Sequence, residues 1–173
     1  LEKGRTFYTS NAGLKELREE ICNYLARKMN LHYDPMKEVL ITVGGSEAID
    51  VALRCMCDPG DEVLIPQPSY VSSALTYNGE HCSIGSLPGM KERTIVINGF
   101  SKAFAMTGWR LGYACGPKEI ISQMTKLHQF AIMCAPTNSQ FAAIEALKNC
   151  DMEVNKMVEA YDQRRRYLMH AFK

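Results

Sequence analysis

The densest run of reactive side chains in this sequence is GFSKAFAMTGWRLGY, residues 99–113. It follows Thr94-Ile95-Val96-Ile97, a β-branched run whose composition suits a buried strand. Ser101 and Lys102 therefore fall at the C-terminal end of a strand, where open α/β sheets place their ligands. A lysine in that position can lose solvent, drop below its ordinary pKa of about 10.4 and become a nucleophile toward carbonyls. Arg110, eight positions on and close to Gly108 and Gly112, offers a two-pronged fork for a phosphate or a carboxylate. A Ser-Lys pair on an exposed loop would do neither, so the surrounding elements decide between the readings.

Those elements alternate between strand and helix. Residues 38–43 (EVLITV) read as a strand that runs into Gly44-Gly45-Ser46-Glu47 and then a helix reaching about Cys57. Strand, paired glycines and helix start aim free N–H groups and the positive helix end at an anion. The motif is not a P-loop, since no Lys-Ser/Thr follows the second glycine, and it lacks the third glycine of a dinucleotide fingerprint. The plain alternative is a tight turn with Ser46 as the cap. After the turn Asp58-Pro59-Gly60-Asp61, residues 62–65 (EVLI) read as a further buried strand. Pro66 and Pro68 then fix the chain so that the ring of Tyr70 can lie over a flat ligand.

The flanking regions are simpler. Residues 11–29 read as a helix, with Leu14, Leu17, Ile21, Leu25 and Met29 at three- and four-residue spacing. Tyr8 precedes it, in a setting where a packing role is the simpler reading. Residues 72–93 carry no sustained periodicity and several turn signals. Residues 110–116 read as a short strand, and 118–133, 136–147 and 151–172 as helices.

With 173 residues, 46% of them apolar, the chain can bury a core as one domain. Twenty basic against nineteen acidic residues give no charge footprint for nucleic acid or an anionic membrane surface. No apolar run approaches the roughly 20 residues that span a bilayer. Seven cysteines, without a zinc-like spacing, read as reduced thiols in a cytoplasmic protein, and no metal site is expected.

Four segments, YTSNAGLKELRE (8–19), TVGGSEAI (42–49), DPGDEVLIPQPSY (58–70) and NGFSKAFAMTGWRLGYACGP (98–117), resemble the pyridoxal-phosphate-dependent aminotransferases of fold type I. The similarity is closest to the aspartate and aromatic amino acid branch. It implies an α/β fold, a three-layer α/β/α sandwich around a mainly parallel sheet, with residues 1–173 forming an incomplete large domain. The implied activity is transfer of an amino group from an L-amino acid, aspartate or aromatic, to a 2-oxo acid. Lys102 matches the lysine that forms a Schiff base with pyridoxal 5′-phosphate and moves the substrate's α-proton. Arg110 and Ser101 match the grip on the cofactor phosphate, shared with the turn Gly45-Ser46-Glu47. Tyr70 matches the aromatic residue that stacks on the cofactor ring. Tyr8 matches a tyrosine that reaches the phosphate of a neighbouring subunit, which implies a homodimer with shared active sites.

The departures from the family pattern are specific. Gly99 stands where many relatives have serine. Between Tyr70 and Thr94 there is neither an Asn-Pro-x-Gly nor an Asp-x-x-Tyr segment, which in the family serve the cofactor's O3′ and ring nitrogen. The chain reads as joined near residues 72–73 across a missing block, and no small domain follows Lys173, as expected of the retained part of a longer enzyme. The same motifs would serve a β-lyase on this fold, and a fragment without those partners would be non-catalytic.

Overall fold

A computed structural model of the chain describes residue 2, residues 4–65 and residues 82–172. Three strands form one sheet: β1 (Val39–Thr42), β2 (Val96–Gly99) and β3 (Gly112–Cys115), in the order β1-β3-β2. Six helices accompany them among the described residues: α1 (Lys15–Met29), α2 (Gly44–Met56), α3 (Phe100–Ala103), α4 (Lys118–Ala131), α5 (Thr137–Asn149) and α6 (Asp151–Ala171).

Alternation along the strands divides the core into two layers, as a sheet covered on both faces requires. Val39 and Ile41 of β1 and Tyr113 and Cys115 of β3 pack with Leu17, Ile21 and Leu25 of α1 and with Ala143 and Leu147 of α5. Leu40 and Ala114, between them in sequence, point the other way onto Val51 of α2 and Ile121 and Met124 of α4. The expected three-layer α/β/α arrangement is therefore present. Helix α1 ends where Asn30 takes a left-handed conformation and its N–H reaches the Leu25 carbonyl.

Strand direction differs from the expected mainly parallel sheet. Both ladders among the described residues are antiparallel, because β3 runs against β1 and β2 alike. The link from β2 to β3, residues 100–111, turns back on itself, its two ends joined by the Phe100 N–H donating to the Leu111 carbonyl. β1 and β2 still run the same way, so their C-terminal ends lie side by side. In register, Thr42 and Gly99 both sit opposite Gly112.

A second difference concerns residues 62–65, expected as a buried strand. They are irregular, with Leu64 94% and Ile65 68% exposed. A short run with three apolar residues becomes a strand only beside a partner, and none pairs with it among the described residues. Helix α6 likewise buries no residue, although its sequence includes Met157, Val158 and Tyr161.

Under the sheet, burial and then the carboxylates of Asp34 and Glu38 push the Cys22 thiol from 9.0 up to about 11. Burial likewise pushes the Tyr33 phenol up to about 12. The folded chain keeps these protons at pH values where an unfolded chain has released them. Their stabilising effect is complete below pH 9 and is lost as pH rises through the folded values. Denaturant midpoints measured against pH are therefore expected to be level up to about pH 9 and to fall above it. Cys22→Ala should make that fall shallower and leave the share of Cys115, whose burial also raises its thiol, and of Tyr33.

Candidate active site

The residues after β2 are held by a buried plug. Phe100 is 1% exposed and packs against Phe104 and Tyr113, with ring centroids 5.5 Å and 5.8 Å away. Its N–H donates to the Leu111 carbonyl at 3.2 Å, and its own carbonyl accepts from Phe104 and Met106. This closes residues 100–111 into a tight loop around one anchored side chain. Lys102 stands on the single helical turn that the plug supports, and the Thr107 hydroxyl braces that turn by donating to the Ser101 carbonyl at 3.0 Å. The loop carries two left-handed non-glycine residues, Ala105 at φ 52° and Arg110 at φ 50°. Such conformations cost about 1–3 kcal/mol each and persist where the surroundings enforce them.

The left-handed turn at Arg110 sends its side chain back over the start of α2. Its Nη1 donates to the Thr107 carbonyl at 3.2 Å, and a Cβ built on Gly44 would meet Nη2 at 2.7 Å. Gly44 itself has φ +79°, a conformation that favours glycine. Beneath it, a Cβ on Gly112 would lie 2.6 Å from the Gly44 carbonyl carbon and 2.7 Å from the Gly45 nitrogen. The α2 N-terminus thus rests directly on the β3 backbone, with the guanidinium above it.

One cleft of about 580 Å³ is lined by Gly45, Ser46, Ser101, Lys102 and Arg110 together. Of the residues singled out in the sequence, these five converge. Lys102 is exposed in the cleft, so the loss of solvent expected for it is not realised among the described residues. Neither Lys102 nor Arg110 forms an ion pair with a described carboxylate. Asp151, which also borders the cleft, is engaged by Arg27 at 3.2 Å and Lys28 at 3.6 Å.

Three residues stand apart. Glu47 does not line the cleft: its Oε2 accepts from the Val43 N–H at 2.5 Å, and its Oε1 accepts from His128 Nδ1 at 2.7 Å. Both oxygens of its side chain are thus used inside the fold. Tyr8 is 78% exposed and lies outside the cleft. Its neighbours are pinned to α5, with the Thr137 hydroxyl donating to the Phe7 carbonyl at 2.5 Å and Gln140 Nε2 donating to the Thr9 hydroxyl at 3.0 Å. Tyr70 lies outside the described residues. Sequence reasoning did not foresee Asn98, whose Oδ1 accepts from the Gly99 N–H at 2.8 Å at the cleft edge. Its position directly before the Gly-Phe-Ser-Lys run was the available signal.

The profile of the family described as "Aminotransferase class I and II" matches residues 1–88 and 74–173. The chain belongs to this family. YugH of Bacillus subtilis (strain 168) is 38% identical over 244 residues, covering 95% of this chain and 63% of that protein. An aspartate aminotransferase of Pyrococcus abyssi is 31% identical over 248 residues, covering 96% of this chain and 64% of its own length. The chain thus spans less than two thirds of the length of each of these two relatives. A 248-position match set against 173 residues leaves at least 75 positions without a residue of this chain. Among solved structures, the aromatic aminotransferase from Pyrococcus horikoshii OT3 superposes with a TM-score of 0.87 at 28% identity, covering 96% of this chain and 66% of that one.

Members of this family use pyridoxal 5′-phosphate. The cleft fits that group. A phosphate dianion suits a guanidinium, two hydroxyls and a helix N-terminus, and the cofactor's aldehyde suits a primary amine such as that of Lys102.

Gly112→Ala is expected to destabilise the protein by about 1–3 kcal/mol, since backbone on the facing helix start cannot yield to a new methyl group. Gly108→Ala is the control: no heavy atom lies within 4 Å of its Cβ position, so its denaturation midpoint should stay close to wild type.

Proposed function

We propose that residues 1–173 belong to the large domain of a pyridoxal-phosphate-dependent transaminase. The enzyme transfers an amino group from an L-amino acid, aspartate or an aromatic one, to a 2-oxo acid. The observation that carries this reading is the convergence of Lys102, Ser101, Arg110 and the α2 N-terminus on one cleft. In this reading Arg110 and the Ser101 hydroxyl bind the phosphate, together with the Gly45 and Ser46 N–H groups. Lys102 Nζ would hold the cofactor at its aldehyde and, once the substrate's amine has displaced it there, would take the proton from the substrate's α-carbon and deliver it to the cofactor's C4′. When bound, the cofactor supplies the electron sink that makes that proton removable. Tyr70 provides the face for the ring.

The same reading makes the protein a cytoplasmic homodimer in which Tyr8 completes the partner's site. The outward placement of Tyr8, held by its pinned neighbours, supports that role. It also takes the chain as a partial large domain joined near residues 72–73. Two findings support the junction: the family profile matches in two stretches, and at least 75 positions of a relative have no counterpart here. The bare apolar side chains of Leu64 and Ile65 lie on the approach to that point.

Borohydride treatment of the full-length protein with its cofactor is expected to leave a pyridoxyl group on Lys102, located by peptide mass. Lys102→Ala should abolish the label and lower transamination by at least about 10²-fold. A label on another lysine would overturn the assignment, and pyruvate and ammonia released without an amino acceptor would indicate a lyase. The 173-residue polypeptide made alone is expected to show no transamination, and turnover from it would refute the proposed junction.

A further inference from the structure

His128 is fully buried near the end of α4, and among the described residues its Nε2 has no hydrogen-bond partner. A buried imidazole with an orphaned nitrogen is costly, so its retained contact carries weight. That contact is Nδ1 donating to Glu47 Oε1 at 2.7 Å, while Glu47 Oε2 accepts from the Val43 N–H at 2.5 Å. One carboxylate therefore ties the last turn of α4 to the N-cap of α2. Val43 offers no capping side chain of its own, and Glu47 instead accepts from the Val43 backbone N–H, the bond that the acidic residue of a capping box makes.

This tie acts on the half of the cleft that binds an anion. Gly45 and Ser46 lie in the same first turn, between Val43 and Glu47. From below, the turn is seated on Gly112, and from above Arg110 covers Gly44. The Glu47–His128 link adds a polar lateral restraint at the first turn, joining it to α4, which packs beside α2 in the same layer.

We infer that Glu47 and His128 are positioning residues for the phosphate cradle. They hold the α2 N-terminus at the angle at which the Gly45 and Ser46 N–H groups and the Arg110 guanidinium meet on one phosphate, and neither touches the ligand. The inference rests on the proposed cofactor and gives the Glu47 side chain a part beside the backbone role that its motif implies. Its specific consequence is selectivity: the pair affects binding of the phosphate and not of the rest of the cofactor.

The test compares dissociation constants of pyridoxal 5′-phosphate and pyridoxal for the full-length protein freed of cofactor, by equilibrium dialysis. In the wild type the phosphate-bearing form should bind far more tightly. His128→Leu is expected to reduce that preference about tenfold, the scale of one hydrogen bond to a charged group, with pyridoxal affinity unchanged. His128→Asn keeps a donor near the position of Nδ1 and should restore the preference to within about twofold of wild type. Glu47→Gln preserves shape but sets an amide N–H against one of the two donors, and it decides the matter by the same ratio if the leucine variant does not fold. A ratio unchanged in these variants, or equal weakening of both ligands, would overturn the inference and leave a structural role alone. A wild-type ratio near one would overturn the cofactor reading, and this inference with it.

Discussion

The close approach at Gly112 is the constraint on which the site depends. Thr42, the last residue of β1, and Gly99, the last of β2, both lie opposite it. The chain leaves β1 through Gly44 into α2 and leaves β2 through Phe100 into the turn that bears Lys102. Because Gly112 has no side chain, those two departures come together over its Cα, and a Cβ there would overlap the α2 backbone. Arg110, two residues earlier, enters the same space from above. A helix start, a reactive lysine and a guanidinium thus meet through the absence of one side chain.

The antiparallel course of β3 follows from the same requirement. With β3 parallel to its neighbours, Arg110 would lie at the opposite end of the sheet from the starts of α2 and α3. Reversing that one strand puts the N-terminal end of β3 beside the C-terminal ends of β1 and β2, so Arg110 and Lys102 share a cleft although they lie on either side of a turn. The two-layer core makes the arrangement rigid. Leu40 and Ala114 are clamped from the α2 and α4 side while Ile41 and Tyr113 are clamped from the α1 and α5 side, so the sheet cannot slide without opening both layers.

Much of this was legible from residue types. The β-branched runs of β1 and β2, the Gly44-Gly45 helix start and the periodic leucines of α1 all produced the elements they suggest. Five of the singled-out side chains share the cleft because each lies within a few residues of a strand end, where short-range geometry fixes position. Strand direction was not legible, since a four-residue apolar run is the same read either way along a sheet. Residues 62–65 misled for a related reason: β-propensity describes fitness for a half-buried surface, and the surface has to be present. Glu47 was legible as a first-turn acid but not as a tether, because its partner His128 is 81 residues away in sequence.

The division between what is complete and what is not has a physical origin. An anion grip needs only donors and positive charge, and three short segments around Gly112 supply both without further strands. Their internal bonds close among themselves: Arg110 to the Thr107 carbonyl, Thr107 to the Ser101 carbonyl, Glu47 to the Val43 N–H. Polarising a flat ring and recognising a substrate carboxylate need groups on other sides of the ligand, from elements that approach from elsewhere. No local turn can reach around a ligand in this way. Among the described residues the cleft is closed at the end where one loop and one helix suffice, and open toward the exposed amine of Lys102.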